Sequence, residues 1–327
     1  MSIANTASRT GRLELFYSSA GHSMMHLMTA FYATIVLALE KDWNLPFHEL
    51  IALWSLGAIL VGAAALPAGW LGDRWSAPGM MVVFFIGMGL SSIFCALVDG
   101  PIGMIAGLAG IGVFASIYHP VGIAWVMRTA GQQGRSLGIN GVFGSAGLAA
   151  AAIVAAALID LHGWRAAFFV PGAVCIVFGL AMAVQWRAGH LGDRPMPESK
   201  GKPPSKGDIV KVFFVLMVTM FFSGIVFQAT QYALPKMFEM RLGDILGSGT
   251  TGIGIAVAAV YTTSGVMQYF AGTMADRFPL KGIYIACFAL QVPVLAMVAM
   301  LFGLPLVGAA MLSALLSVGA LPAESML

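Results

Sequence analysis

Charged residues are scarce in this 327-residue sequence. Asp, Glu, Lys and Arg together make up 9% of it, whereas hydrophobic residues make up 59%, and the mean hydropathy is +0.88. A water-soluble globular domain carries roughly a quarter charged residues, because its surface must be solvated by water. The composition therefore excludes a soluble fold for most of the chain.

Cysteine is also rare. The three cysteines, Cys95, Cys175 and Cys287, fall within apolar runs, and their spacing fits neither a disulfide framework nor a metal-binding motif. The net charge of +3 is spread along the chain instead of being gathered on one soluble face, as nucleic-acid binding would require. We therefore expect no metal site, no cofactor and no nucleic-acid partner.

The motifs of common enzymes are missing as well. The sequence has no His-Glu-x-x-His helix, no Gly-x-Ser-x-Gly elbow and no phosphate-binding loop. This absence argues against an enzyme.

Long stretches without any charged residue fill most of the chain. Since a helix needs about 20 apolar residues to cross hydrocarbon, these stretches predict an all-α, polytopic membrane protein with about ten helices. The predicted spans lie near Phe16–Leu39, Leu50–Leu71, Gly79–Val98, Ile102–Met127, Leu137–Ile159, Ala166–Trp186, Ile209–Leu234, Thr250–Met274, Gly282–Leu301 and Pro305–Leu327. Glycines within them, such as Gly141, Gly144 and Gly147, are typical of close helix packing in lipid.

The Lys and Arg residues of the loops predict the orientation, because they accumulate on the cytoplasmic side. If the N-terminus is cytoplasmic, thirteen of them lie inside and only Lys41, Arg165, Lys236 and Arg241 lie outside. We therefore expect a multi-pass protein of a cell inner membrane with a cytoplasmic N-terminus.

A proline- and lysine-rich segment divides the chain into two parts. Residues 1–187 form an N-terminal half of six predicted helices, residues 188–208 a cytoplasmic linker, and residues 209–327 a C-terminal half of four helices. The segment Gly69–Trp75 is repeated as Gly272–Phe278, 203 residues later, and the same offset places Tyr118-His119-Pro120 over Leu321-Pro322-Ala323. This repeat predicts a twelve-helix protein from which the last two helices are missing.

The repeated segment also resembles a known family. Gly69-Trp70-Leu71-Gly72-Asp73-Arg74 is similar to the loop 2–3 signature of the major facilitator superfamily, and Gly272, Ala275, Asp276 and Arg277 to the weaker loop 8–9 copy. Within that family, the segments around His22, His119, Trp164 and Glu324 resemble fosmidomycin-resistance-like permeases. The resemblance implies a carrier with a 6+6 helix bundle, and we expect it to be a monomer.

Polar residues inside the spans are the candidates for a substrate or proton pathway. Helix one carries Ser18, His22, His26 and Thr29 on one face. Imidazole is costly in hydrocarbon unless it faces water or a partner, and its ordinary pKa near 6.5 suits a proton carrier. The full set of candidates is His22, His26, Thr29, Tyr118, His119, Asn140, Gln228, Gln231 and Glu324. For each of them, hydrogen bonding between packed helices is the alternative interpretation.

A second group of candidates concerns gating. The resemblance implies that the loop signatures latch the cytoplasmic side through Gly69, Gly72, Asp73, Arg74, Gly272, Asp276 and Arg277. The alternative is simple anchoring of the arginines on the cytoplasmic side. The basic run that usually completes the first signature is replaced by Trp75-Ser76-Ala77-Pro78-Gly79, which predicts a weaker latch.

Together these observations predict a secondary active transporter that works by alternating access, is driven by a proton gradient and exports a small organic solute or drug as an antiporter. No intramembrane Lys or Arg is available to bind an anion, so a neutral, zwitterionic or cationic substrate is favoured. Its expected partners are that solute and the lipid bilayer. The alternative is a non-transporting membrane sensor, an assembly component, or an inactive fragment of a transporter.

Overall fold

The computed structural model describes residues 3–129, 133–193, 205–247, 249–277 and 279–326. Side chains are described throughout these ranges except at residues 3–10, 129, 133–135, 216, 268–277, 280 and 318–326. The described chain is helical and contains no β-strand. Its helices are α1 (Ile3–Ala30), α2 (Tyr32–Trp43), α3 (Phe47–Ala52), α4 (Ser55–Ala63), α5 (Ala65–Arg74), α6 (Ala77–Leu97), α7 (Pro101–Ala115), a π-helical segment (Tyr118–Ile123), α8 (Ala124–Thr129), α9 (Gln133–His162), α10 (Trp164–Arg187), α11 (Lys206–Leu246), α12 (Thr250–Arg277), α13 (Leu280–Met300) and α14 (Gly303–Met326).

Nine helical segments among the described residues are long and apolar enough to cross a membrane. Three of these segments are built from several helices in a row: α1 with α2, α3 to α5, and α7 to α8 through the π segment. The tenth predicted span corresponds to α14, whose apolar part with described side chains, Gly303–Ser317, is shorter. The predicted all-α, multi-pass architecture of about ten helices is therefore confirmed.

We call the side of the bundle where α10 ends and α11 begins the linker side, and the opposite end the far side. Successive spans run between these two sides. The N-terminal part of α1 lies at the linker side, where Glu14 accepts a hydrogen bond from the backbone N–H of Gly192 at 3.2 Å. Trp43, Asp160, Trp164 and Thr250 lie at helix ends on the far side.

The sequence repeat is visible in the helix boundaries. Helices α5 and α12, which carry the two copies of the loop signature, end 203 residues apart, at Arg74 and Arg277. Helices α6 and α13, which follow them, begin 203 residues apart and also end 203 residues apart. The two copies therefore fold alike, as a duplication predicts.

The outer surface of α11 is apolar. Val210, Phe213 and Phe221 are among many large hydrophobic side chains that this helix exposes. Such a surface would be unfavourable in water, whereas a bilayer solvates it. Buried aromatic residues such as Phe31, Phe84 and Phe168 instead fill the interior of the first six spans.

Helix α9 is central to the packing because it lies against both α1 and α12. Small residues allow these close approaches, as expected for helices in lipid. A Cβ atom built on Gly147 would lie 2.1 Å from the backbone oxygen of Ser23 on α1. A Cβ on Gly254 of α12 would lie 2.8 Å from the backbone oxygen of Ala152 on α9.

Replacing Gly147 with alanine should therefore destabilise the bundle by about 1–3 kcal/mol, the usual cost of overpacking. The added methyl group would meet backbone atoms of α1, which cannot rotate away. The matched control is Gly138→Ala on the same helix, where nothing lies within 4 Å of the added Cβ and the higher helix propensity of alanine should be neutral or stabilising. Thermal unfolding in detergent measures both; equal midpoints would contradict the role of Gly147 in packing.

Candidate functional site

The two histidines of α1 lie one turn apart and face each other. His22 is buried, and its Nε2 lies 3.2 Å from Nε2 of His26. The other ring nitrogen of His22, Nδ1, lies 2.8 Å from the backbone oxygen of Asn140 on α9. Because a carbonyl oxygen only accepts hydrogen bonds, Nδ1 carries the hydrogen and Nε2 of neutral His22 presents its lone pair to His26.

A buried polar network lies beside this pair. The hydroxyl oxygen of Tyr118 is 2.8 Å from Nδ2 and 3.0 Å from Oδ1 of Asn140. Ser18 accepts a hydrogen bond from Nδ2 of Asn140 at 3.2 Å and donates one to the backbone oxygen of Gly122 at 3.0 Å. The network therefore holds α1, α9 and the π segment together through buried hydrogen bonds, which are strong where the surroundings are apolar.

The π segment owes its shape to Pro120, which has no N–H to donate and cannot fit a regular α-helical turn. The wider turn places Tyr118 and His119 towards α1. The Tyr118 ring stacks on the His22 ring with centroids 4.8 Å apart, and the His119 ring meets those of His22 and His26 edge-on at 5.6 and 5.7 Å.

We call His22, His26 and His119 the histidine cluster. One nitrogen from each ring lies within 4.8 Å of the others. His22 is buried, His26 is half-buried and His119 is exposed, so the cluster extends from the interior to an accessible surface. The remaining histidines, His48, His162 and His190, are exposed and lie elsewhere.

The structure brings together five of the nine predicted pathway residues: the histidine cluster, Tyr118 and Asn140. Thr29 donates its hydroxyl to the backbone oxygen of Met25 on its own helix at 2.9 Å. Gln231 is buried on α11 and Gln228 is exposed there. The side chain of Glu324 lies outside the described residues.

The first loop signature lies where α5 packs on the π segment. A Cβ added to Gly69 or Gly72 would meet Pro120 at 3.1 Å or Val121 at 2.7 Å, so the two glycines permit this contact. Asp73 accepts a hydrogen bond from Arg128 at 2.5 Å, and the guanidinium of Arg74 lies 4.3 Å from the ring centroid of Trp70. In the second copy, Gly272, Asp276 and Arg277 lie on α12, but the side chains of Asp276 and Arg277 and the surroundings of Gly272 are outside the described part of the chain.

Sequence reasoning missed two partners of this signature. From the sequence, Arg128 at the end of the fourth span was counted only among the basic residues that predict orientation, and Asp193 was counted only as part of the linker. Arg128 also lies 3.7 Å from Asp193, which accepts the backbone N–H of Ala77 at 2.7 Å at the start of α6. A carboxylate at a helix N-terminus is electrostatically favourable, so Asp193 stabilises the segment that replaces the usual basic run.

The two halves are joined on the far side by what we call the far-side clamp: Asp160 on α9 with Thr250 and Thr251 on α12. One carboxylate oxygen of Asp160 accepts the backbone N–H of Thr250 at 3.1 Å and its hydroxyl at 2.8 Å. The other accepts the N–H of Thr251 at 2.8 Å and its hydroxyl at 2.6 Å. Asp160 thus satisfies N–H groups at the N-terminus of α12 that have no partner within the helix.

A further contact closes the same side. Lys236 on α11 pairs with Glu40 on α2 at 2.6 Å and with Glu239 on its own helix at 2.7 Å. Nearer the middle of the bundle, the hydroxyl of Tyr232 donates to the backbone oxygen of Thr29 at 3.1 Å. On the linker side, the ion pairs among the described side chains stay within residues 73–193. The halves are therefore tied together at the far side.

Comparison with known proteins identifies the fold. The family model described as Major Facilitator Superfamily matches residues 19–326. A probable L-galactonate transporter of Escherichia coli (strain K12) is 25% identical over 186 residues, which cover 54% of this chain but only 38% of that relative.

Solved structures of a bacterial homologue of the human lysosomal transporter Spinster, inward-facing, are similar in fold. The unoccupied form has a TM-score of 0.74 at 13% identity and covers 97% of this chain and 74% of that one. The occupied form has a TM-score of 0.73 at 14% identity, over 95% and 72% of the two chains.

Proposed function

The chain belongs to the major facilitator superfamily, a family of membrane transporters and not of enzymes, and from this premise we propose that it exports a small organic solute in exchange for protons by alternating access. The observation that carries the proposal is the polar group of His22, His26, Tyr118 and Asn140 within the membrane-spanning part of the first half. Intramembrane ionisable residues are expensive to keep, and in transporters they line substrate and proton pathways.

The proposed orientation makes the observed state one from which export can start. With the linker side inside the cell, thirteen Lys and Arg residues are cytoplasmic and four are not, as the positive-inside rule requires for an inner-membrane protein. The far-side clamp and the Lys236–Glu40 pair then close the periplasmic side. In this state the carrier would be ready to receive solute from the cytoplasm.

The histidine pair offers a physical means of coupling. In the neutral pair one N–H, that of His26 Nε2, points at the lone pair of His22 Nε2 across 3.2 Å. A proton added to His22 would place two N–H groups face to face and push the rings apart. Because His22 is held by Asn140 and stacked on Tyr118, the displacement would reach α9 and the π segment. The other titratable groups facing the pair among the described side chains are His119 and Tyr118.

The substrate class follows from charge. No Lys or Arg contacts the described histidine cluster, which favours a neutral, zwitterionic or cationic solute. Export of drug-like compounds is supported by the resemblance of the segments around His22 and His119 to fosmidomycin-resistance-like permeases. The E. coli relative is named for L-galactonate, an anion, so that compound is the alternative substrate to test against an organic cation.

Transport by everted membrane vesicles tests the proposal. The vesicles first establish a pH gradient, and ethidium, an organic cation, is then added. We expect ethidium to dissipate part of the gradient and to accumulate inside the vesicles. Vesicles without the protein are the control. A response to L-galactonate but not to ethidium would contradict the assigned substrate class. No flux of either compound through the purified protein in proteoliposomes would favour the non-transporting alternative.

A further inference from the structure

We propose that the histidine cluster is a binding site for a divalent transition-metal ion of the zinc type. Half of the six histidines in the chain converge here from two separate elements, α1 and the π segment. The site would bind the ion in the resting protein without a gradient, so this inference does not depend on the proposed transport activity.

The spacing of the nitrogens fits such an ion. Zinc bonds to histidine nitrogen at about 2.0–2.1 Å, so two ligands of a tetrahedral site lie about 3.3 Å apart. Nε2 of His22 and Nε2 of His26 are already 3.2 Å apart. Two histidines four residues apart on one helix are also the usual helical pair for zinc, because both rings project from the same face.

The third ligand needs only a small movement. A nitrogen of His119 lies within 4.8 Å of both others, so an approach of at most about 1.5 Å completes the set. The side chain of His119 is exposed and therefore has room to rotate. Three protein ligands leave a fourth position, open to water or to a solute on the accessible side of the cluster.

The surroundings of His22 match those of a metal ligand. A ligating imidazole normally donates its other N–H to a carbonyl or carboxylate, which fixes the ring and its tautomer. Here Nδ1 of His22 donates to the backbone oxygen of Asn140 at 2.8 Å, so Nε2 carries the lone pair that would bind the ion. The ion would replace the hydrogen bond between the two Nε2 atoms, and the hydrogen of His26 would move to Nδ1 of its own ring. Gly144 makes room for this ring, because a Cβ at that position would lie 2.5 Å from a carbon of it.

The ligand type selects the ion. Imidazole nitrogen suits Zn²⁺, Cu²⁺ and Ni²⁺, whereas Mg²⁺ and Ca²⁺ require oxygen ligands. Among the described residues, no Cys, Asp or Glu belongs to this group of candidate ligands. We therefore expect Co²⁺, the spectroscopic substitute for zinc, to bind, and Mg²⁺ not to compete with it.

Cobalt titration of the purified full-length chain tests the site. The protein is purified in detergent through a tag without histidine, and the visible absorption of tetrahedral Co²⁺ and the heat of Zn²⁺ binding are recorded. We expect one ion per chain. His119→Gln, at an exposed position that should not disturb folding, is expected to weaken binding by about 100-fold or more, since it removes a direct ligand and even the loss of an outer-shell partner costs about 10–100-fold.

The chain offers a matched control in its other three histidines. The triple variant His48→Gln, His162→Gln, His190→Gln removes as many imidazoles from exposed positions outside the cluster and should bind Co²⁺ as the unmodified protein does. Loss of the cobalt absorption in this variant, its persistence in His119→Gln, or its absence from the unmodified protein would overturn the proposal. The transport proposal is measured separately by ethidium flux and would survive that result.

Discussion

Replacing His22 with alanine is expected to abolish the accumulation of ethidium driven by a pH gradient, to the level of vesicles without the protein. The substitution removes the imidazole that contacts His26, Tyr118 and Asn140 at once, so no other residue can take over its position between the helices. Exchange of ethidium down its own concentration gradient should remain measurable, because it does not require net proton movement.

The comparison of driven and downhill flux distinguishes lost coupling from lost folding. A variant that fails to fold would lose both activities, whereas an uncoupled carrier loses only the first. His22→Gln provides a second, less disruptive variant, since an amide keeps a donor towards Asn140 but does not take up a proton near neutral pH. His48→Ala, at an exposed position outside the cluster, should behave as the unmodified protein. Unchanged gradient-driven accumulation in His22→Ala would exclude the proton-carrying role.

The fold was largely predictable because lipid restricts the choices. A membrane-spanning segment must satisfy its own backbone hydrogen bonds, so long uncharged runs predicted helices and their approximate ends. The details inside a span were not visible in this way. The break of the first span at Phe31 and the π turn at Tyr118–Ile123 depend on local backbone geometry. Pro120 is the one sequence signal for the second, since proline distorts a helix.

The candidate site was predictable in part. The stripe of His22 and His26 followed from helical periodicity, and Tyr118 and Asn140 from their polarity inside spans. The sequence does not show locally which groups meet. The acceptor for His22 is the backbone oxygen of Asn140, and because every residue has a backbone oxygen, no residue type marks this partner. For the same reason the sequence places Asp160 only just beyond the predicted span Leu137–Ile159, whereas the structure shows that it joins α9 to α12.

Replacing Asp160 with alanine is expected to open the far side. The carboxylate is the one group that the far-side clamp cannot lose, because it accepts all four hydrogen bonds from Thr250 and Thr251. Charge-assisted bonds of this kind contribute about 1.5–3 kcal/mol in favourable sites, and exposure reduces that value. A net loss of about 1–2 kcal/mol would raise the ratio of far-side-open to far-side-closed molecules by about 5- to 30-fold.

Distances between spin labels on the two halves measure this shift. Leu161 on α9 and Met240 on α11 are 73% and 74% exposed, so labelled cysteines at these positions should leave the packing intact. Asp42→Ala is the matched control: Asp42 is also acidic and on the far side, but its carboxylate accepts a hydrogen bond from Trp164, which lies in the same half. We expect a longer distance to gain population in Asp160→Ala and not in Asp42→Ala. If the two variants gave the same distance distribution, the far-side clamp would contribute nothing to closure. The far side would then be held closed by the Lys236–Glu40 pair and by the packing of α9 on α12.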